Sequence, residues 1–475
     1  MSPVSERAAQ VRFRRALSLM AMTLVAPGSA QLAAGDRRVG TIALRIWLGL
    51  WALGAVTLLA LLVNRGLALT LAFNPSLLLA VKLAMFVLAV GWAGLFVDAW
   101  RIGAPLSYGL QHRRTAVAVN GVLCFSVAGT LLFGAHLVGV QRDLTIALSG
   151  SGGSSAAHDG RINVLLMGGD SGEGRWGLRP DSMTVASIDD ETGRTVLISL
   201  PRNMAKFPFR EGSVMDKQFP AGFDCDGCYL NGVSTWADDH TDLFPRSDNP
   251  GVDATIMGIE GITGLNINYW AMVNLQGFKD LVDAVGGVTL NVRQAIPVGG
   301  LGSDVTGYID PGTRKLNGFE TLWYARAREG SDDYSRMARQ KCVMSAMLSQ
   351  ISPQTVVSNF ASLAQASAAM ISTNVPASDF DTLAGLALKA KSQKISTVSL
   401  VPPMINTGDP DIDVVQGMIT DGIDRAEGTA VAEPAKTKKK NKQSATATQP
   451  VTGGSLGSMS EGYAANQAED LGASC

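Results

Sequence analysis

The chain has 475 residues, enough for more than one structural unit, and a formal net charge of −1, which gives no electrostatic basis for binding nucleic acid. Hydrophobic residues make up 46% of it, unevenly spread: residues 41–140 are nearly free of acidic groups, 160–345 carry mixed charge, and 427–475 hold almost no large apolar side chains. With four histidines and five cysteines there is no histidine-rich metal site, and no zinc spacing around Cys225-Asp226-Gly227-Cys228.

Three apolar runs come first, at residues 46–63, 77–97 and 115–140. Each can cross about 30 Å of hydrocarbon at ~1.5 Å per residue. The second contains Lys82, close enough to its end to snorkel to the interface. Arg12, Arg14, Arg15, Arg37, Arg38 and Arg45 precede the runs, and Arg101, Arg113 and Arg114 separate the last two. With three spans all these arginines share one side, which predicts a cytoplasmic N-terminus and an external location for everything after residue 140. Residues 16–34 are apolar but interrupted by Pro27, Gly28 and Gly35. A fourth span there would put Arg37 and Arg38 on the wrong side. Residues 1–40 are therefore expected to be a cytoplasmic N-terminus with an interfacial or re-entrant segment, and 41–148 a transmembrane region of about three helices.

Residues 149–160 (SGSGGSSAAHDG) have the composition of a flexible linker. Residues 162–167 then read as a buried strand, ending in Gly168-Gly169-Asp170. Strands are expected at 183–188, 195–200, 267–273 and 288–292, and helices at 254–262, 275–285 and 333–351. Asn317 with Glu320 resembles a capping box opening a helix through Trp323. Interleaved strands and helices predict an α/β domain, an α/β/α sandwich on a central mixed sheet, over residues 161–426. Residues 427–475 read as a disordered, low-complexity tail. Outside the cytoplasm a local Cys225–Cys228 disulfide is one reading; free thiols and a bridge to Cys342 are the others.

Most chemistry that needs histidine is absent. Only His240 could serve the outer domain, and there is no Gly-x-Ser-x-Gly elbow. Residues 168–177 (GGDSGEGRWG) lack the Gly-Lys-Ser/Thr of a phosphate loop. Carboxylates and arginines remain. Asp170 ends the first strand and Asp181 starts the second, in Arg179-Pro180-Asp181-Ser182. Paired at neighbouring strand ends they suit a hard cation, Mg²⁺ or Mn²⁺, that leaves coordination positions for substrate phosphate; two loop or capping aspartates are the alternative. Arg202 follows the third strand. Arg326 and Arg328 would point the same way from extended chain. Arg336, Arg339 and Gln340 share one helix face. Guanidinium groups bind phosphate bidentately, so the set fits a diphosphate with its metal.

In this order the motifs resemble the LytR-CpsA-Psr family: residues 163–170 (NVLLMGGD), 179–184 (RPDSMT), 198–203 (ISLPRN), Leu230-Asn231, 277–292 (GFKDLVDAVGGVTLNV), 324–328 (YARAR) and 333–340. The resemblance covers residues 162–349. It implies an α/β/α catalytic domain with an apolar tunnel for a polyprenyl chain; the multi-pass membrane protein with an extracytoplasmic domain is expected from the apolar runs and arginines above, and its three spans depart from the single span of many members. Asp170 and Asp181 would hold the metal and act with Arg179 and Arg202 in catalysis. Asn231, Arg326, Arg328, Arg336, Arg339 and Gln340 would bind substrate. Asn203 departs from the family's frequent Asp, and Tyr229 from its frequent Lys. The implied reaction moves a phosphorylated glycan from a polyprenyl-diphosphate donor to a peptidoglycan acceptor beside the membrane lipid. A polyprenyl-diphosphate hydrolase and a non-enzymatic lipid-binding scaffold or regulator are the alternatives.

Overall fold

The computed structural model describes residues 3–63, 66–105, 109–150, 152–153, 155–169, 179–300, 303–350, 371–429 and 466–474. The chain divides into two compact units, Met1–Ile146 and Ala147–Cys475.

The first unit holds helices α1 (Pro3–Val25), α2 (Ser29–Ala34), α3 (Arg37–Val63), α4 (Gly66–Phe73), α5 (Pro75–Ile102) and α6 (Leu110–Leu148). Helices α3, α5 and α6 are long and apolar enough to cross a membrane. They outrun the apolar stretches in the sequence because backbone pairing continues through their polar ends. Val56, Val63, Val87, Val90 and Phe125 stand exposed along them, apolar surface suited to hydrocarbon. The interrupted segment before them is helix, turn, helix. Trp92 Nε1 donates to Thr23 O at 3.0 Å, and Gln31 Nε2 donates to Leu95 O at 3.0 Å, tying α1 and α2 to α5. Gly28 in the turn has φ 93°, and a Cβ there would lie 2.5 Å from Gly40 O, so only glycine allows this approach.

The second unit is built on a six-stranded mixed sheet. Its strands are β1 (Arg161–Gly169), β2 (Pro180–Asp189), β3 (Thr195–Leu200), β4 (Tyr269–Asn274), β9 (Ile371–Thr373) and β10 (Ser396–Ser399), in the order β10-β3-β2-β1-β4-β9. Strands β1 and β4 pair in parallel, as do β3 and β10, while β1–β2, β2–β3 and β4–β9 are antiparallel. Alternate side chains leave opposite faces. Leu165, Met167, Met183, Val185, Val196 and Ile198 face the main core, with Ile259 and Ile262 of α9 (Pro250–Thr263) and Val415 and Ile419 of α14 (Ile412–Glu427). On the other face Val164 and Ile188 meet Leu383 and Leu386 of α13 (Phe380–Lys391). There too Leu166, Ala186 and Leu197 meet Met344 of α12 (Asp333–Gln350). The domain is thus an α/β sandwich around a mixed sheet.

Short helices α7 (Val214–Gln218) and α8 (Val233–Asp238) lie in the long connection after β3. A satellite core joins α10 (Leu275–Ala284), α11 (Gly318–Arg326) and α12 to two hairpin-like pairs, β5 (Val288–Val292) with β8 (Gly312–Leu316) and β6 (Ile296–Gly299) with β7 (Val305–Ile309). The capping box at Asn317 and Glu320 is present, and the helix it opens runs to Arg326 rather than Trp323.

Two stretches read by composition behave differently. In the 149–160 linker, Gly150 N donates to Val375 O at 2.8 Å and Ser155 N to Tyr269 Oη at 3.0 Å, so it is bonded to the domain. In the tail, residues 430–465 lie outside the described residues, but 466–474 pack on the domain, with Leu471 buried against Ala186, Leu197 and Met344. Backbone pairing along a sheet edge, which composition does not register, holds this last piece. Cys225 and Cys228 form a disulfide, so neither bridges to Cys342, which is itself disulfide-bonded; Cys124 is free.

Candidate functional site

Asp181 and Arg202 meet because of strand register. Met183 pairs with Leu200 across β2 and β3. Two residues further out on each chain, the same antiparallel register sets Asp181 opposite Arg202. Arg202 Nη1 donates to Asp181 Oδ1 at 2.5 Å, and its Nε donates to Asp333 Oδ1 at 3.2 Å. Asn231 N donates to Arg202 O at 3.0 Å, which folds the loop after β3 back onto the site. Asn231 itself is buried.

Asp333 is the residue that sequence reading missed. It opens α12, where an acidic side chain suits the helix N-terminus. It joins three guanidinium groups: Arg202, Arg328 at 3.6 Å, and Arg336 at 3.0 Å. Arg336 Nη2 also donates to the backbone carbonyl of Asp181 at 3.0 Å. Its Nε is buried without a partner among the described residues. Three cations thus surround two carboxylates, which leaves one excess positive charge and an unmet donor for an anion.

The electrostatics follow from burial and charge. Burial alone would raise the Asp181 carboxyl, but Arg202, Arg336 and Arg328 outweigh it and hold the pKa below the ordinary carboxylate value. Burial works against Arg202 too, yet Asp333 and Asp181 raise it further above the normal arginine range. Arg336 is more deeply buried, and desolvation brings it down to about 10 despite Asp333.

The remaining expected site residues separate. Arg328 and Arg336 are in the cluster. Arg326 is not on extended chain beside Arg328: α11 reaches it, and its guanidinium carbon stands 5.2 Å from the centroid of the Trp323 ring. Arg339 departs from the substrate-binding expectation. It is fully buried, and its Nε donates to Tyr324 O at 2.7 Å and its Nη2 to Ala327 O, so it secures the end of α11. The two share a face of α12, but the rise of about 4.5 Å between them takes Arg336 to the site and Arg339 to the end of α11. Gln340 donates to Ala325 O at 3.3 Å and lines a cavity beside Asp181. Arg179 is exposed just before β2. Asp170 lies outside the described residues.

That cavity lies between the sheet and α12, lined by Asp181, Thr184 and Leu197 on the sheet side and by Met337, Gln340 and Met344 of α12. Lys341 also lines it. Burial lowers the Lys341 ammonium to about 7, and its Nζ donates to Asn466 O at 3.2 Å.

Among the described residues no group of three or more His, Cys, Asp or Glu side chains stands ready to hold a metal. Asp181 nevertheless keeps carboxylate oxygen sites open. Asp181 gives one oxygen to Arg202, and a carboxylate has about four acceptor sites. Gly169 pairs with Pro180, and Asp170 follows Gly169 in the chain. His240 is exposed, stacked on Trp236 at 4.1 Å, with Nδ1 2.7 Å from Trp236 O. It belongs to no carboxylate–arginine contact described above. The His240→Ala variant is therefore expected to keep wild-type turnover; a loss of roughly a hundredfold or more with the fold intact would mark it as an acid or base.

The second unit is thus a mixed α/β sandwich with an arginine–carboxylate cluster whose Asp181 also lines the cavity, and it follows in the chain three helices long and apolar enough to cross a membrane. The LytR_cpsA_psr family model matches residues 139–427, and the chain belongs to that family. It is 28% identical over 270 residues to Biofilm regulatory protein A of Streptococcus mutans, covering 54% of this chain and 61% of the relative. It is 29% identical over 192 residues to the polyisoprenyl-teichoic acid–peptidoglycan teichoic acid transferase TagU of Oceanobacillus iheyensis, covering 40% and 51%. The cell wall biosynthesis protein LcpA of Corynebacterium glutamicum is 25% identical over 275 residues, covering 53% and 52%. The chain thus spans about half to three fifths of the length of these curated relatives. Bacillus subtilis TagV, a solved structure, is 22% identical with a TM-score of 0.41, covering 57% of this chain and 98% of its own.

Proposed function

We propose that this domain, outside the cytoplasmic membrane, transfers a phosphorylated glycan from a polyprenyl-diphosphate donor to peptidoglycan. The observation that carries the reading is the cluster of Arg202, Arg328 and Arg336 around Asp181 and Asp333, beside a cavity that Asp181 lines together with Leu197, Met337 and Met344. The charged cluster has the chemistry for a diphosphate, and the apolar side chains have it for an isoprenoid chain that parts them. Relatives named as polyisoprenyl-teichoic acid–peptidoglycan transferases support the donor and acceptor classes. The arginines before and between the long helices support a cytoplasmic N-terminus and an external domain.

In the reaction an acceptor hydroxyl attacks the phosphorus that carries the glycan. The bond from that phosphorus to the bridging oxygen breaks, polyprenyl phosphate leaves, and the hydroxyl proton passes to solvent or a base. Arg202 and Arg328 orient the diphosphate and offset the charge that grows on its oxygens. Arg336, buried and held by Asp333, keeps a fixed positive field behind them. Asp181 aims Arg202. A divalent cation such as Mg²⁺, held by Asp181 with Asp170, would add Lewis-acid stabilisation of the same phosphoryl oxygens.

The test uses the full chain in detergent with a glycan–diphosphate–polyprenol donor, a peptidoglycan oligomer, and Mg²⁺ or chelator. Glycan-linked peptidoglycan is expected, in Mg²⁺ only, with Asp181→Asn lowering turnover at least roughly tenfold, the worth of one charged contact. Donor cleavage that ignores the acceptor would make it a hydrolase. Donor binding without turnover would make it a lipid-binding scaffold.

A further inference from the structure

We infer that Leu471, presented by the C-terminal segment, is an end-stop that sets how much of the donor's lipid chain the domain holds; this rests on the donor reading above. Asp181, just beyond the Met183–Leu200 pair, and Leu197, opposite Ala186, both line the cavity, with Met344. Leu197 and Met344, with Ala186, also pack against Leu471, which is 4% exposed. Ala186 lies five residues along β2 from Asp181, so the run from Asp181 to Leu471 is about 17 Å at ~3.3 Å per residue.

The walls and the stop differ in stiffness. The cavity is closed down to about 30 Å³, so a chain enters only where side chains give way. Met337 and Met344 on α12 can do so, because an unbranched thioether repacks readily. Leu471 is held from its backbone. Leu471 N donates to Ile395 O at 3.0 Å, Thr397 N donates to Glu469 O at 2.9 Å, and Ser396 and Asp470 form an antiparallel bridge. Upstream, Asn466 Nδ2 donates to Tyr334 O at 2.8 Å, while Asn466 O accepts from Lys341 Nζ. Both ends of α12's first half are thereby stitched to the segment that carries the stop. An isoprenoid chain longer than the run must leave the domain sideways, and the protein reads only the units next to the diphosphate.

The experiment measures binding of farnesyl, geranylgeranyl and undecaprenyl diphosphate to the full chain in detergent micelles, wild type beside Leu471→Ala. Wild type should bind geranylgeranyl and undecaprenyl diphosphate within about threefold of each other. Leu471→Ala should favour the longer lipid by roughly tenfold, the worth of about two further buried methylene groups. Wild-type affinity that keeps rising beyond geranylgeranyl overturns the end-stop, and this arm needs no variant to fold. A variant with unchanged melting temperature and no preference for the longer lipid also overturns it. Absence of binding at every length removes the donor reading itself, an outcome distinct from both.

Discussion

Asp333→Asn is expected to lower both turnover and melting temperature, with a stability loss of about 3–5 kcal/mol, because it removes a negative charge shared by three guanidinium groups. The substitution keeps the side-chain shape, so packing at the head of α12 is preserved. What changes is charge. Arg336 is already lowered to about 10 by burial, with Asp333 as the strongest influence opposing that. Without Asp333 its guanidinium keeps only Asp181 against the like charges of Arg202 and Arg328. In a domain of this size the melting temperature should fall by on the order of 10 °C. Diphosphate should restore part of it, since the ligand supplies the missing negative charge. An Asp333→Asn protein that melts with wild type would show that the arginines are positioned by their backbones alone, and the shared-anion account would fail.

The site's parts were legible in the sequence to the degree that they depend on local pattern. Short apolar runs gave β1, β2 and β3 to within a few residues, and Asp181 and Arg202 were recognisable as strand-end residues. Their contact was not, because register is a property of two strands at once; only the pairing of Met183 with Leu200 puts them opposite. Asp333 was visible as the start of a helix, yet its spacing of three to Arg336 is a pairing signal that a search confined to arginines passes over. Arg326 was misplaced because α11 extends one turn further than its apolar pattern, so an extended-chain argument was applied to helical backbone. Arg339 shows the limit of reading a helix face: one turn suffices to swap a phosphate site for a pair of backbone carbonyls. The last residues escaped notice for a different reason. Low complexity before them set the expectation, while their hold on β10 runs through backbone groups that every residue carries.

Arg202→Lys is expected to cost roughly ten- to a hundredfold in turnover despite equal charge, because the side chain works as a fork. Its Nη1 and Nε reach two different carboxylates, Asp181 and Asp333, from one planar group. A lysine ammonium is a point charge on a flexible stem and cannot span both while presenting a further edge to a phosphate. Each charge-assisted bond lost is worth about 1.5–3 kcal/mol. The loss falls on rate where the contact tightens as charge builds on the phosphoryl oxygens. Backbone placement makes the aim reproducible: Arg202 follows Pro201 at the end of β3, and its carbonyl accepts from Asn231 N. A simple surface ion pair predicts otherwise, since lysine would replace arginine at nearly no cost. Turnover and melting temperature of Arg202→Lys and Arg202→Ala, measured side by side, decide between them. Lysine close to alanine in rate, with both folded, supports the fork. Lysine at wild-type rate with alanine depressed reduces Arg202 to a charge. Both at wild-type rate would take Arg202 out of the chemistry and leave its contacts with Asp181 and Asp333 as structure alone.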